Sequence, residues 1–540
     1  MRKILLASAA LVFAGCTTSP PVSEEVSAEA PALAPAAPAA EAAVVEPVTS
    51  PAPQFTSVQS DLFGIVGSLS NAWADIDNDG DLDYAVSLKG GAIQLYLQED
   101  DGTFTDVTAA FGLPAFDPSA PPPSAADFRN PEYKEFRGVS FGDFDGDGYI
   151  DLFAGATMPN MASRLYRNVG GTGFVDVAEE AGLTVPGRSS RQNNWIDVDN
   201  DGDLDLYAAD RIADNKLFGN EGGVFTQMFP DAGPTDARAT VGACWFDYNK
   251  DGKLDLFLAN QSGATDALWR NEGDKFTDVA PDLGIDSPGR ERMEGGVGCA
   301  IGDYDNDGNL DIFMAAYGPN RLYKNNGDGT FSDVSEAAGI TEPDHVVGAD
   351  WGDFDNDGDL DLFVVGYEGP SGEQTPVNML YVNDGSGVFE NILTLESTMN
   401  AADHGVVWVD YDLDGDLDLS VTDGYGPEGG HFVFRNDMPE AQRAQSLSVM
   451  VLDAKGYFTK PGTEVRAYDA AGTLLATRIM TTGGGYNAQS AIPVHFGLPG
   501  LTTVDVEVTY FTPAGRETLT LPGVSLSELA GQSLTVKLPE

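Results

Sequence analysis

Seven segments of the 540-residue chain share the pattern D-x-[DN]-x-D-G-x-x-D. The first holds Asp75, Asp77, Asp79 and Asp83, and the second Asp143, Asp145, Asp147 and Asp151. The third holds Asp197, Asp199, Asp201 and Asp205, and the fourth Asp247, Asn249, Asp251 and Asp255. The fifth holds Asp303, Asp305, Asp307 and Asp311; the sixth Asp353, Asp355, Asp357 and Asp361; the seventh Asp410, Asp412, Asp414 and Asp418. Acidic residues at positions 1, 3 and 5 put oxygens on one side of a tight turn, and glycine at position 6 permits the reversal. A backbone carbonyl at position 7 would leave that side chain free to vary, as it does from Asp81 to Tyr149 to Lys253. Hard oxygen ligands on a flexible loop suit Ca²⁺ better than Mg²⁺, so the pattern predicts about seven calcium ions. An EF-hand needs Glu at position 12; here position 12 is apolar in every copy, from Val86 to Val421, so these are not EF-hands. The fourth site, with Asn249 and Lys253, is expected to be the weakest.

These loops recur every 50 to 68 residues, a period that signals a propeller or solenoid. An apolar run precedes each loop and a β-rich run follows it, as in VSFGDF (139–144) and DLFAGA (151–156). Then come L-Y-x-N or a variant, such as RLYRN (164–168), and F-x-D-V, such as FVDV (174–177). That makes four short strands per repeat, A to D, with turns between. Radial repetition of such units predicts an all-β fold, a seven-bladed β-propeller over 54–437. The segment FTSV (55–58) precedes the first repeat, whereas nothing equivalent follows HFVFRN (431–436). Residues 55–58 should therefore be the outer strand of the seventh blade and close the ring. Residues 441–540 carry further alternating runs and read as a small β-sandwich.

Lys and Arg number 29 against 85 Asp and Glu, a net charge of −56, which excludes general nucleic-acid binding. Residues 1–15 read as a signal peptide, with Arg2 and Lys3 before an apolar run. It ends Phe13-Ala14-Gly15-Cys16, which resembles a bacterial lipobox with Cys16 lipidated. The Pro/Ala-rich stretch 16–53 would be a tether. The expectation is an outer-membrane lipoprotein of the cell envelope, periplasmic or surface-facing, held to the membrane by its lipid.

The loops and the strand motifs around them resemble the FG-GAP repeat family, also called VCBS or integrin-α-like, whose blades carry calcium loops. GGGYNAQSAIPVHFGL (483–498) followed by VEVTYFTPAGRE (506–517) resembles the ASPIC/UnbV domain. That domain follows FG-GAP propellers in the cartilage-acidic-protein-like family. The resemblance implies fold and calcium but little mechanism.

For activity, Gly138-Val139-Ser140-Phe141-Gly142 fits G-x-S-x-G, but it lies in an expected strand, not at a strand-to-helix turn. The four histidines are scattered. Tyr486 and His495 are expected to pack structurally. The favoured function is a calcium-binding recognition or adhesion module; the alternative is an enzyme acting on a polysaccharide or other polymer from the propeller face. Strand A should start on the face opposite the calcium loops, placing Arg137, Arg191 and His404 around the channel rim. The B–C loops add Arg211, Tyr317, Tyr367 and Tyr425. Together they suggest a face for an anionic glycan or protein ligand. Cys244 and Cys299, on adjacent strands A, are expected as two buried thiols, with a disulfide as the alternative.

Overall fold

The structure is a computed structural model and describes residues 54–116, 134–158, 161–185, 189–229, 233–340, 343–367, 378–394, 397–401, 404–424 and 430–539. The expected leader, the tether and Cys16 lie outside these residues. No helix among the described residues is long and apolar enough to cross a membrane.

Each acidic loop joins strands A and B of a four-stranded antiparallel unit, and the described residues hold seven such units. The first comprises Ser68–Ala74, Asp83–Leu88, Ile93–Gln98 and Phe104–Asp106. Burial falls from A to D. Ser68–Ala74 is buried along its whole length, whereas only Phe104 of the last strand is buried. Strand A is thus the innermost and strand D the rim, the gradient expected of strands radiating from an axis. Six units run in chain order. In the seventh, Val406–Val409, Asp418–Thr422 and His431–Asn436 take Phe55–Val58 as their fourth strand, with Phe55 opposite Asn436. The first strand therefore covers an edge that the last repeat would otherwise expose.

Adjacent units are joined by two recurring devices. A Trp two residues before the loop stacks on the aromatic at position 2 of the preceding loop. The pairs are Trp195 on Phe144, Trp351 on Tyr304, Trp408 on Phe354, and Trp73 on Tyr411 across the closure. The second device is the Asn of L-Y-x-N. The Asn168 amide donates to the carbonyl of Ile76 in the preceding unit at 2.8 Å and of Ile150 in its own at 3.1 Å. Asn220, Asn271, Asn325, Asn383 and Asn436 repeat this geometry. In the first unit Gln98 takes the role, its amide reaching Tyr411 and Leu82 carbonyls at 3.2 Å in the orientation that satisfies both. An all-β chain of units braced in this cyclic order fits a β-propeller.

Each alternating run of the C-terminal segment holds a strand. Ser446–Leu452 pairs with Val494–Gly497 and Leu534–Lys537. Glu464–Tyr468 lies between Leu474–Ile479 and Thr503–Thr512, and Gly515–Ser525 flanks the last. Val449, Val465, Val506 and Phe496 share one apolar core with Val139 and Leu152 of the second unit. The C-terminal segment is therefore built onto the repeats.

Cys244 and Cys299 form a disulfide, with Cα atoms 6.2 Å apart. This corrects the expectation of two thiols. Neighbouring inner strands approach within the roughly 7 Å that a bridge spans, and the two side chains face each other.

Candidate metal centres

The loops are folded by their own carboxylates. Asp75 at position 1 accepts the N–H groups of Asp79 and Gly80, both at 3.1 Å. Asp79 at position 5 accepts the N–H of Asp81 at 3.0 Å. Asp143, Asp303 and Asp353 repeat the first arrangement. Position 9 is a brace. Asp151 accepts the N–H of Phe144 at 3.1 Å and of Asn168, on strand C, at 2.8 Å, so it ties the loop to its own sheet.

Position 4 plays a part that the sequence reading left unassigned. It is left-handed in every loop, with φ between 53° and 64° at Asn78, Gly146, Asn200, Lys250, Asn306, Asn356 and Leu413. Asn tolerates that conformation better than most residues. Its amide also reaches the position-6 carbonyl of the next loop: Asn78 to Gly148 at 2.9 Å and Asn356 to Gly415 at 2.8 Å. Lys250 does the same with its ammonium, to Gly308 at 3.0 Å. The recurring Asn at position 4 was the signal.

Carboxylates then converge. Asp75, Asp77 and Asp83 can each place an oxygen within 4.8 Å of the others, as can Asp143, Asp145 and Asp151. So can Asp197, Asp199 and Asp205, Asp303, Asp305 and Asp311, and Asp353, Asp355 and Asp357. An Oδ1 of each of Asp77, Asp145, Asp305 and Asp412 is buried with no hydrogen-bond partner. A buried carboxylate oxygen without a donor is costly, and a cation relieves it. Burial, then neighbouring carboxylates, raise Asp75 to about 6. Burial raises Asp83, Asp205 and Asp353 to about 8. Hard, crowded, orphaned oxygens fit calcium-binding loops.

Cations of the C-terminal segment dock on this face. Lys460 bonds Asp197 and Arg443 bonds Asp414. Arg516 Nη1 donates to Asp247 at 2.6 Å. His495 Nε2 lies 2.8 Å from Asn356 Oδ1, and the Gly497 N–H donates to Asp353 at 2.9 Å.

Between these contacts, residues 481–492 leave the C-terminal sheets and enter the channel between the strands A. Thr482 donates to the Trp245 carbonyl at 2.7 Å, and the Gly485 N–H to Ala349 at 3.1 Å. Ala488 and Gln489 pair in parallel with Val139 and Ser140, and the Ala491 N–H donates to Trp73 at 2.8 Å. The segment thus touches strand A of at least five units. Gly485 must be glycine: its φ is +57°, and a Cβ would sit 2.2 Å from the Val406 carbonyl oxygen. Tyr486 reaches furthest. It packs with Val241, Val297 and Val347, and its ring is 5.1 Å from that of His404. Arg137 Nη1 donates to its hydroxyl at 3.4 Å.

The expected open ligand face is corrected at this point. Arg137, Arg191 and His404 are buried, because Tyr486 fills the rim they were expected to line. Arg137 pairs with Glu135 at 2.8 Å. Burial, then Arg137, lower Arg191 to about 10. Burial would push the Tyr486 hydroxyl up, but Arg137, Arg191 and Arg211 together hold it below its ordinary value. Arg211 is exposed and Tyr317 half-buried, its ring 4.6 Å from that of His345. Tyr425 and the side chain of Tyr367 lie outside the described residues. Ser140 of the G-x-S-x-G segment is fully buried in strand Phe136–Gly142 and bonds the Asn193 carbonyl at 2.7 Å.

The model of the FG-GAP-like repeat matches residues 75–130, 143–208, 197–258, 247–314, 303–364 and 353–421, more than half of the chain. Cartilage acidic protein 1 of Homo sapiens is 25% identical over 489 residues, covering 82% of this chain and 68% of that protein. Cartilage acidic protein 1 of Xenopus tropicalis is 27% identical over 315 residues, 52% of this chain; the chain spans about half of that relative, 47% of its length. Among solved structures, an Agrocybe aegerita lectin that recognises non-reducing terminal N-acetylglucosamine is 20% identical, with 61% of this chain and 80% of that chain covered and a TM-score of 0.36. BBS1N, solved in complex with ARL6DN, is 11% identical over 71% of this chain and 97% of that chain, with a TM-score of 0.41. Neither likeness is strong enough to bear on fold or ligand.

Proposed function

The chain belongs to the FG-GAP-like repeat family, and from that premise we propose that it is a calcium-stabilised recognition or adhesion module. In this reading the seven four-stranded units are the blades of a closed propeller, and the C-terminal sheets form a β-sandwich of ASPIC/UnbV type seated on the loop face. Calcium sits where complete sets of position 1, 3, 5 and 9 carboxylates converge, one ion per loop. The observation that carries the reading is the convergence of carboxylate triads with buried, unpartnered oxygens on successive loops. The ions would neutralise those carboxylates and stiffen the loops on which the C-terminal segment rests; this chain's own contribution is to hold the oxygens apart through the backbone N–H bonds at positions 5, 6 and 7.

With the channel filled, a ligand is left the outer surface away from the loops, where Arg211 lies on a B–C turn and Tyr317 lies within strand Asp311–Pro319 rather than on the turn expected for it. The lipobox-like end of the leader supports a place on the cell envelope, anchored to the membrane through Cys16. The ligand class is a glycan or a protein. The test is a glycan and peptide array probed with the full mature chain in calcium and again in EDTA. Retention of defined ligands in calcium and their loss in EDTA is expected. Identical retention in both, after metal removal is verified, overturns calcium dependence; no retention in either overturns the recognition role.

A further inference from the structure

Loop 4 (247–255) departs from the others in charge. Asn249 stands at position 3, where the other six loops have Asp. Its amide is spent on the loop itself: Nδ2 donates to Asp251 Oδ2 at 3.3 Å, and Oδ1 accepts the Asp251 N–H at 2.9 Å. The buried orphan oxygen that position 3 supplies in loops 1, 2, 5 and 7 is not found at position 3 here; the orphan oxygen of this loop is Asp255 Oδ2, at position 9. The Asp247 carboxylate is also engaged. Its Oδ2 accepts both the Gly252 N–H at 2.9 Å and Arg516 Nη1 at 2.6 Å.

Arg516 is held from behind. Its two terminal nitrogens donate to the two oxygens of Glu464 at 3.0 and 2.8 Å, and its guanidinium carbon lies 5.7 Å from the centre of the Phe511 ring. Glu464 is 1% exposed and Asp247 3%. The turn that carries Arg516 presses on the loop: a Cβ on Gly252 would fall 2.9 Å from the Arg516 backbone nitrogen. A guanidinium satisfies carboxylates through directed hydrogen bonds rather than coordination, and it keeps its charge when buried. Loop 3 makes the contrast. Lys460 bonds Asp197 there, yet Asp197, Asp199 and Asp205 still converge.

We infer that loop 4 takes no calcium and that Arg516 is its resident cation, so that the C-terminal segment is pinned to the repeats at this loop whether or not calcium is present. The inference rests on the calcium reading of the other loops.

Native mass spectrometry of the calcium-loaded full chain counts the ions directly. Asp79→Asn in loop 1 is expected to lose one ion, and the matching Asp251→Asn in loop 4 to leave the wild-type count unchanged. Loss of an ion in Asp251→Asn overturns the inference while leaving the calcium reading intact. Absence of ions from every chain, wild type included, sinks the calcium reading and this inference with it. Should Asp251→Asn fail to fold, Asn249→Asp combined with Arg516→Gln decides: one ion more than wild type supports the assignment, and the wild-type count overturns it.

Discussion

At the loop end of the channel, buried charge is negative, repeated and held by backbone. Asp75, Asp143, Asp303 and Asp353 accept paired N–H groups and converge with their neighbours. At the other end it is positive, and it is answered by single side chains: Glu135 for Arg137, and the Tyr486 hydroxyl. The first arrangement leaves oxygens over and so asks for an external cation. The second is closed by a residue delivered from the C-terminal segment. A cluster of arginines in a chain of net charge −56 therefore marks a seal here, not an open binding face.

Both ends require a complete ring, so the largest effect should come from opening it. Deletion of 54–60 removes Phe55–Val58 from the seventh unit; deletion of 17–52 removes none of these contacts. The first is expected to abolish cooperative unfolding in calorimetry and the second to leave it unchanged. Equal stability of the two would break the closure. Calcium removal comes next. Each site saturated at 100 times its dissociation constant adds about 2.7 kcal/mol, so EDTA should lower the melting temperature steeply.

Third is Gly485→Ala, which drives a methyl into the Val406 carbonyl. A cost of about 2–4 kcal/mol is expected, the range for enforced strain in a packed interior, read from urea denaturation. A neutral result would mean that the segment does not need its seat. Fourth is the pH dependence of the metal-free chain. The folded values of Asp75, Asp143 and Asp303 are about 6, and of Asp83, Asp205 and Asp353 about 8, all above the ordinary 3.8. Groups raised on folding stabilise when protonated. Their contribution is complete below about pH 4 and is lost as pH climbs through 6 to 8. In EDTA the melting temperature should fall between pH 5 and 9, and saturating calcium should flatten that fall. The smallest effect is expected of Tyr486→Phe, about 1 kcal/mol for one buried hydroxyl. A loss larger than that of Gly485→Ala would reverse the ranking of the two substitutions.

The acidic loops were legible because their chemistry is local: nine residues fold on their own backbone. The exchanged strand was legible by counting, since Phe55 had no partner strand in the first repeat. The Asn braces were visible as spelling but not as function, because one of the two carbonyls each bonds belongs to the preceding unit, 92 residues away for Asn168. The filled channel was not legible at all. Gln489 bonds Trp195 across 294 positions, and no local pattern announces such a contact. Strand direction put Arg137 and Arg191 at a channel rim but could not say what else would occupy it. The disulfide stood only as the alternative for a smaller reason: the sequence places Cys244 and Cys299 on adjacent strands, and only the Cα separation of 6.2 Å decides between thiols and a bridge.

The exchanged strand also sets a clock. Thr56 finds its partner Asp437 381 residues later. At about 5–20 residues per second on the ribosome, roughly 20–75 s separate the making of the first strand from the making of its neighbour. Until then the earliest-made strand has no edge to join, and the repeats accumulate as an open arc with both ends unpaired. The first strand of the ring is thus among its last to find a place, and completion of the ring waits for nearly the whole repeat array to be made.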